Sequence, residues 1–304
     1  MRSIRWGFAG VIGLIGAQVW GSPVPLAKSS VSPVVSPSWL LENLSSPNLL
    51  VVDIRDSESY SGSHVPGSLT IPFAYSSVWS RVQENDTLIM PPEDELFLDL
   101  GANGFTTKKN IVIITSTAEL PVGVVRATRA AATLQYAGHD ITKVGILDGG
   151  FEAWDRIGGP TDALPVIPTP AKYYGSVDES FIVDRPYVNS SLNRLEDGIV
   201  LVDARPSSAY TDGHIESALS IPLGNILEAD GTFRPAADLL ALFESTVGSA
   251  PVSATNGEVI VYCWIGLMAT GWHYTLTNIL RFGNVKLYDG SVEDWVKEYP
   301  LVTG

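Results

Sequence analysis

The chain contains the segment Leu50-Val51-Val52-Asp53-Ile54-Arg55 and repeats its pattern as Val200-Leu201-Val202-Asp203-Ala204-Arg205. Each copy begins with an apolar, β-branched run and ends in Asp-x-Arg. Such a run is typical of a strand buried on both faces of a parallel sheet. A repeat at this separation predicts two homologous domains in one chain.

Further segments repeat in the same order and extend the match over most of the chain. The matching pairs are Tyr60 and His64 with Tyr210 and His214, residues 68–72 with 218–222, 111–114 with 259–262, and 144–150 plus Trp154 with 285–291 plus Trp295. In the second copy, strands are expected at 200–203, 218–221, 258–262 and 285–288, and helices at 235–247 and 270–281. This alternation predicts an α/β fold with two tandem domains, each a mostly parallel sheet flanked by helices.

The domain boundaries follow from the extent of the repeat and from proline content. We expect a first domain over residues 36–158 and a second over 176–304. The connector at 159–175 is rich in proline, which suits a semi-rigid linker.

Cys263 is the only cysteine of the chain and directly follows the strand predicted at 258–262. In open α/β sheets, ligands bind beyond the carboxyl ends of the strands. The backbone amides of residues 264–269, with Gly266 allowing the chain to curl, can stabilise a thiolate there. A buried, inert cysteine is the alternative for a lone thiol.

Composition and the N-terminus narrow the class of protein. The formal net charge of −14 argues against nucleic acid, whose binding needs a basic face. Arg2 and Arg5 precede an apolar stretch at 6–20 and a small residue, Gly21, so residues 1–21 read as a signal peptide. We therefore expect a secreted or periplasmic protein without stable membrane insertion, with an uncleaved anchor as the alternative.

These motifs together resemble the tandem rhodanese (sulfurtransferase) family over residues 36–304. The resemblance rests on Asp-x-Arg, the His-containing segment that ends in Ile-Pro, the Cys-x-x-Gly-x-x-Ala loop, and Asp-Gly-Ser/Gly-x-x-x-Trp. It implies a catalytic second domain in which Cys263 carries sulfur as a persulfide, and an inactive first domain with Thr115 at the matching position. It also implies a small sulfur donor and a thiophilic acceptor such as cyanide or a thiol. We further expect a monomer without cofactor or metal.

The side chains of the Cys263 loop do not identify the sulfur donor. These apolar side chains are neither the basic pattern of thiosulfate-using relatives nor the hydroxyl pattern of mercaptopyruvate-using ones. The residues assigned to substrate binding are Arg205, Trp264, Ile265, Gly266, Leu267, Met268 and Ala269. Arg205 is alternatively a structural partner of Asp203, and Trp264 is alternatively loop packing. Two functions stay open: a thiosulfate-like or polysulfide sulfurtransferase, and a sulfane-sulfur carrier or partner-binding module with little turnover.

Related phosphatases of this fold place an arginine six residues after the cysteine. Here that position is Ala269, which argues against phosphate-ester cleavage.

Asp53 and His64 match first-domain residues that lie near the active site in mercaptopyruvate-type relatives, so they are possible contributors. Interface or capping roles are the alternative. His214, His273, Trp154 and Trp295 are expected to be structural.

Overall fold

The computed structural model describes residues 31–83, 87–248 and 252–304. The predicted signal peptide at 1–21 lies outside the described residues. Within them, no helix is both long and apolar enough to cross a membrane.

The strands of the first half are short and mostly apolar. They are β1 (Val34–Val35), β2 (Leu49–Asp53), β3 (Leu69–Thr70), β4 (Arg81–Val82), β5 (Leu88–Ile89), β6 (Asn110–Ile114) and β7 (Val144–Leu147). The helices between and after them are α1 (Pro37–Asn43), α2 (Ser57–Gly62), α3 (Glu93–Ala102), α4 (Val122–Tyr136) and α5 (Gly150–Arg156).

The second half repeats this alternation. Its strands are β8 (Ile182–Val183), β9 (Ile199–Asp203), β10 (Leu219–Ser220), β11 (Glu258–Tyr262) and β12 (Val285–Tyr288). Its helices are α6 (Arg185–Ser191), α7 (Ser207–Asp212), α8 (Ala236–Val247), α9 (Ala269–Tyr274) and α10 (Ser291–Trp295).

The two main sheets have the same topology. The first has the order β1-β7-β6-β2-β3 and the second the order β8-β12-β11-β9-β10. All pairings in both are parallel. The predicted α/β fold with two tandem, helix-flanked parallel sheets is therefore confirmed, and a small antiparallel pair, β4 with β5, is added to the first half.

The register aligns the two halves residue by residue. Asp53 pairs with Ile114 in the first sheet, and Asp203 pairs with Tyr262 in the second. Thr115 and Cys263 are therefore the first residues after equivalent strands.

Burial explains why these segments form strands. Every residue of β9 and of β11 is buried, as expected for central parallel strands covered by helices on both faces. The largest apolar cluster combines residues of both halves, including Val125 of α4 and Trp272 of α9. The two halves thus share one core, and the two helices that meet there are those that follow Thr115 and Cys263.

The predicted elements of the second half agree with the structure except at their ends. The helix expected at 270–281 is α-helical only to Tyr274 and continues as a π-helical turn at Thr275–Ile279. There the Leu280 amide donates to the Thr275 carbonyl at 2.9 Å, a spacing of five residues. The strand expected at 218–221 is shortened to Leu219–Ser220.

Residues 159–175 form no helix, and Asp162 makes an isolated bridge with His64. The Ala171 amide also donates to the Gly101 carbonyl at 2.8 Å. The connector is thus attached to the first half by backbone hydrogen bonds.

Candidate active site

Cys263 lies at the carboxyl end of β11 and its side chain is buried, with 0% of the residue exposed. Residues 264–268 lead from it into α9, and Gly266 in this loop has φ 84°. A left-handed residue turns the chain back toward the sulfur, which is the role the sequence predicts for this glycine.

Backbone amides converge on the sulfur. The N–H groups of Ala269, Ile265 and Gly266 hydrogen-bond to Cys263, and with the Ser291 hydroxyl they lower the pKa of the thiol. Burial acts in the opposite direction and is the larger effect, so the pKa of Cys263 is raised overall. The loop thus supplies the donors that a thiolate needs, inside a site that water does not reach in this conformation.

Ser291 stabilises the loop from the neighbouring strand end. Its hydroxyl accepts a hydrogen bond from the Cys263 amide at 3.0 Å and donates to the Tyr288 carbonyl at 2.8 Å. The same oxygen lies 3.9 Å from the Cys263 sulfur. Ser291 has φ 51°, a left-handed conformation that is unfavourable for a residue with a side chain. Such strain is typical of functional positions.

Gly266 packs directly against Asp289. A Cβ atom at this glycine would collide with the carbonyl oxygen and with a carboxylate oxygen of Asp289. Only glycine therefore fits here, for reasons of both space and backbone conformation.

Arg205 is committed to a structural pair. Its Nε and Nη2 donate to the carboxylate of Asp203, at 2.6 Å for the shortest contact, and Nη2 also donates to the Gly213 carbonyl at 2.6 Å. The first half repeats this arrangement with Arg55, Asp53 and the Ser63 carbonyl. Because the copy without a cysteine has it too, the structural alternative for Arg205 is favoured. Arg205 still has an electrostatic interaction with Cys263, and its guanidinium lies 6.0 Å from the centre of the Trp264 ring.

The other loop side chains differ in what they face. Trp264 is 37% exposed beside the buried thiol. Ile265, Leu267 and Met268 pack on the apolar core shared by the two halves, and Ala269 belongs to it. Of the side chains assigned to substrate binding, Trp264 is therefore the one best placed to meet a substrate.

The equivalent loop of the first half is filled by its own carboxylate. The Ser116 hydroxyl donates to Glu152, and the Thr117 amide donates to the same carboxylate at 2.8 Å. Burial alone would raise the pKa of Glu152, but these hydrogen bonds lower it. The Phe151 amide donates to the Thr115 carbonyl at 2.8 Å, as the Val292 amide does to the Cys263 carbonyl at 3.2 Å. The two loops thus have equivalent backbone positions. In the first, the Thr117 amide binds a carboxylate, whereas the matching Ile265 amide in the second acts on the thiol.

Asp53 and His64 are separate from the cysteine loop. Asp53 binds Arg55, whereas His64 stacks on Tyr60, with ring centres 3.8 Å apart, and its Nδ1 hydrogen-bonds to the Tyr60 carbonyl. The His64 amide donates to the Asp162 carbonyl at 2.9 Å. Among the described residues, neither side chain contacts the Cys263 loop. Both side chains are bound within the first half, which favours a structural role, and their contribution to the active site stays a prediction.

Other first-half residues do reach the loop. The Leu88 amide donates to the Ile265 carbonyl at 3.2 Å, and the Thr128 hydroxyl hydrogen-bonds to the Thr270 hydroxyl at 2.9 Å. The Arg129 side chain, 0% exposed, forms an ion pair with Asp289. Sequence reasoning missed these three residues because none belongs to a repeated motif. For Asp289 and Ser291, the repeated Asp-Gly-Ser/Gly motif was an available signal.

The remaining residues singled out in the sequence have structural surroundings. Trp154 and Trp295 are buried and donate to the carbonyls of Pro160 and Pro300. His214 stacks on Tyr210, and His273 is buried against Phe181. In the described part of the chain, no cluster of three His, Cys, Asp or Glu residues has the geometry to hold a metal ion.

The chain thus contains two copies of one α/β domain, and only the second copy has a cysteine, Cys263, in the loop after its central strand, where the first has Thr115. The family model for the rhodanese-like domain matches residues 36–157 and again 188–298. The chain therefore belongs to the rhodanese-like family, and its activity class is sulfurtransferase.

Several named relatives have the same extent. A thiosulfate sulfurtransferase of Corynebacterium glutamicum is 28% identical, over 93% of this chain and 95% of its own. The sulfur carrier protein TtuD of Thermus thermophilus is 27% identical, over 86% of this chain and 93% of its own. The solved structure of SseA from Escherichia coli, a 3-mercaptopyruvate sulfotransferase, superposes with a TM-score of 0.71 at 22% identity, covering 86% of this chain and 100% of its own. The last similarity supports the fold.

Proposed function

We propose that this protein is an exported sulfurtransferase that carries sulfane sulfur as a persulfide on Cys263. The observation that carries the proposal is the convergence of the Ile265, Gly266 and Ala269 amides and the Ser291 hydroxyl on a single buried thiol. These donors would stabilise both the attacking thiolate and the outer sulfur of a persulfide.

The proposed reaction has two steps and balances without a cofactor. With thiosulfate as donor, the Cys263 thiolate attacks the sulfane sulfur, a new S–S bond forms, and sulfite leaves with the electron pair of the broken bond. An acceptor such as cyanide then attacks the outer sulfur. Thiocyanate leaves, and the Cys263 thiolate is regenerated with the electron pair of the second broken bond.

The character of the site favours uncharged or bulky sulfur donors, such as organic polysulfides, over thiosulfate. The Arg205 guanidinium is bound to Asp203 and Gly213, and Trp264 presents an apolar ring beside the thiol. A doubly charged donor would also approach a chain of net charge −14. Anion recognition would then rest on the loop amides and on the charge of Arg205.

A second candidate is a sulfane-sulfur carrier with little turnover. The observation that favours it is the complete burial of Cys263, which would slow both loading and release. One relative, at 27% identity, is named a sulfur carrier protein.

Steady-state turnover separates the two candidates. Thiosulfate, 3-mercaptopyruvate and a polysulfide would each be supplied with cyanide, and thiocyanate release followed, with Cys263→Ser as the inactive control. The enzyme proposal expects many turnovers with at least one donor. Release limited to one thiocyanate per protein would favour the carrier.

Export and a monomeric state are further parts of the proposal. Arg2, Arg5 and the apolar stretch at 6–20 support export. Expression of the full chain, followed by fractionation and N-terminal sequencing, would test it. Retention of the intact N-terminus in a soluble cytoplasmic fraction would contradict it.

A further inference from the structure

We propose that Arg129, in the half of the chain without a cysteine, is a positioning residue for the Cys263 loop and acts through Asp289. The inference rests on the proposed persulfide chemistry of Cys263 and deepens it. It gives the first half of the chain a part in the site that sequence motifs do not suggest.

The contact is a buried ion pair between the two halves. Arg129 Nη1 pairs with Asp289 Oδ1, Nη2 donates to Asp289 Oδ2 at 3.2 Å, and Nη1 reaches the Gly266 carbonyl at 3.5 Å. Arg129 lies on α4, which packs against α9, the helix that follows the cysteine loop. A fork-shaped guanidinium on a carboxylate fixes orientation as well as charge.

Asp289 transmits this position to the loop. Its backbone and its carboxylate both press on Gly266, so closely that no Cβ atom fits between them. The amide of Gly266 is one of the donors directed at the sulfur. If the Asp289 carboxylate moves, the packing that holds the Gly266 amide in position changes as well.

Charge gives the pair a second effect on the thiol. Burial raises the pKa of Asp289 and the Arg129 guanidinium lowers it, so without Arg129 the carboxylate would tend to protonate and a cation that favours the thiolate would be lost from beside the loop. Arg205 interacts electrostatically with Cys263, the carboxylate of Asp203 pairs with Arg205, and Tyr262 precedes the cysteine. These three groups belong to the second half. Arg129 is thus the first-half cation that compensates the carboxylate nearest to the loop.

A contribution to the stability of the fold does not by itself explain why the chain buries this ion pair. Buried ion pairs are often replaceable by apolar residues at no cost in stability, because desolvation offsets their attraction. The Arg129 Nε is also buried without a hydrogen-bond partner in the described part of the chain. The first half binds the loop at two further points, Leu88 and Thr128, so the pair is not needed merely to join the halves.

The test uses Arg129→Met, which removes the charge and keeps most of the volume, Arg129→Lys, which keeps the charge, and Asp289→Asn. Tyr274→Phe is the matched control, since it removes another hydrogen bond between the halves, the partly buried one from Tyr274 to the Pro33 carbonyl at 2.6 Å. Because Cys263 is the only cysteine, its ionisation can be followed in the full chain by ultraviolet thiolate absorbance, against Cys263→Ser. Thermal unfolding and the kcat and KM of sulfur transfer are measured in parallel.

We expect Arg129→Met to raise the pKa of the Cys263 thiol by about one unit. The same variant should lower kcat about tenfold with KM little changed. Arg129→Lys should recover part of both effects, Asp289→Asn should lower kcat by loosening the contact with Gly266, and Tyr274→Phe should leave the thiol titration unchanged.

A folded Arg129→Met protein with the thiol titration and kcat of the wild type would overturn the inference. If Arg129→Met does not fold, the kcat of Asp289→Asn and the thiol titration of Arg129→Lys are used instead. Wild-type values in both variants would overturn the inference. The thiol titration needs no sulfur donor. If the protein never formed a persulfide, the proposed function would be refuted. The thiol titrations of the variants would still test the role of Arg129.

Discussion

The Ser291 hydroxyl oxygen lies 3.9 Å from the Cys263 sulfur and accepts the hydrogen bond of the Cys263 amide at 3.0 Å. Its own proton is directed to the Tyr288 carbonyl at 2.8 Å. When Cys263 ionises, rotation of this hydroxyl can redirect the proton to the thiolate. Ser291 is therefore both a fixed acceptor for the backbone and an adjustable donor for the sulfur.

Replacing Ser291 with glycine should raise the pKa of the Cys263 thiol. Glycine accepts the left-handed conformation and stands at this position, as Gly150, in the first half, so the change removes the hydroxyl without adding strain. Loss of one hydrogen bond to a charged group should raise the pKa by about one unit. Ultraviolet titration measures this, with the exposed Ser190→Ala as control. An unchanged titration would show that the hydroxyl does not act on the sulfur.

Placing a cysteine at Thr115 should not create a second sulfur-carrying site. The Thr117 amide and the Ser116 hydroxyl are bound to the Glu152 carboxylate, whose negative charge would oppose a thiolate beside it. The variant Thr115→Cys with Cys263→Ser should therefore show no added sulfur by intact mass after exposure to polysulfide. Efficient loading at residue 115 would mean that loop shape alone suffices.

Arg205→Met should act mainly on stability. The change leaves the buried Asp203 carboxylate without its partner, which typically costs about 3–5 kcal/mol in the free energy of unfolding. Urea denaturation measures this loss, and Arg55→Met in the first half is the matched variant with a similar expected cost. A large rise in KM for an anionic donor, with the free energy of unfolding unchanged, would instead make Arg205 a substrate-binding residue.

His273 should make the protein less stable in mild acid. Burial lowers its pKa from 6.5 to about 4, so the unfolded chain binds a proton that the folded chain does not. The contribution of neutral His273 to the free energy of unfolding is complete above pH 6.5 and is lost as the pH falls through about 4. His273→Gln should therefore show a smaller loss of unfolding free energy between pH 7 and pH 4 than the wild type. Equal losses in urea titrations at the two pH values would contradict this.

The repeat was sufficient to predict the fold. The matched residues Asp53 and Asp203, together with the matched strands later in each half, predicted that Cys263 lies at the carboxyl end of a parallel strand. They also identified Thr115 as its counterpart. Those features depend on local apolar runs and on motif order, both of which a sequence displays directly.

Side-chain partners across the two halves could not be predicted in the same way. Arg129 meets Asp289 only because α4 and α9 pack together, and no spacing in the sequence encodes that contact. Arg205 was left with two roles because Asp-x-Arg fits a structural pair as well as a substrate-binding one. The repeated Arg55 pair in the first half favours the structural role, and substrate binding by Arg205 stays a prediction.

The sequence repeat also does not predict the role of Glu152. Its counterpart by position, Glu293, is exposed, so alignment of the two halves does not indicate that one carboxylate fills a loop. The local hydrogen bonds with Ser116 and Thr117 make the difference.

Intact-mass spectrometry of the protein after exposure to a polysulfide, before and after addition of cyanide, determines whether Cys263 carries transferable sulfur. We predict a gain of one sulfur atom that maps to Cys263, disappears with cyanide as thiocyanate forms, and is absent from Cys263→Ser. A wild-type protein whose mass does not change with polysulfide, thiosulfate or 3-mercaptopyruvate would contradict the persulfide account.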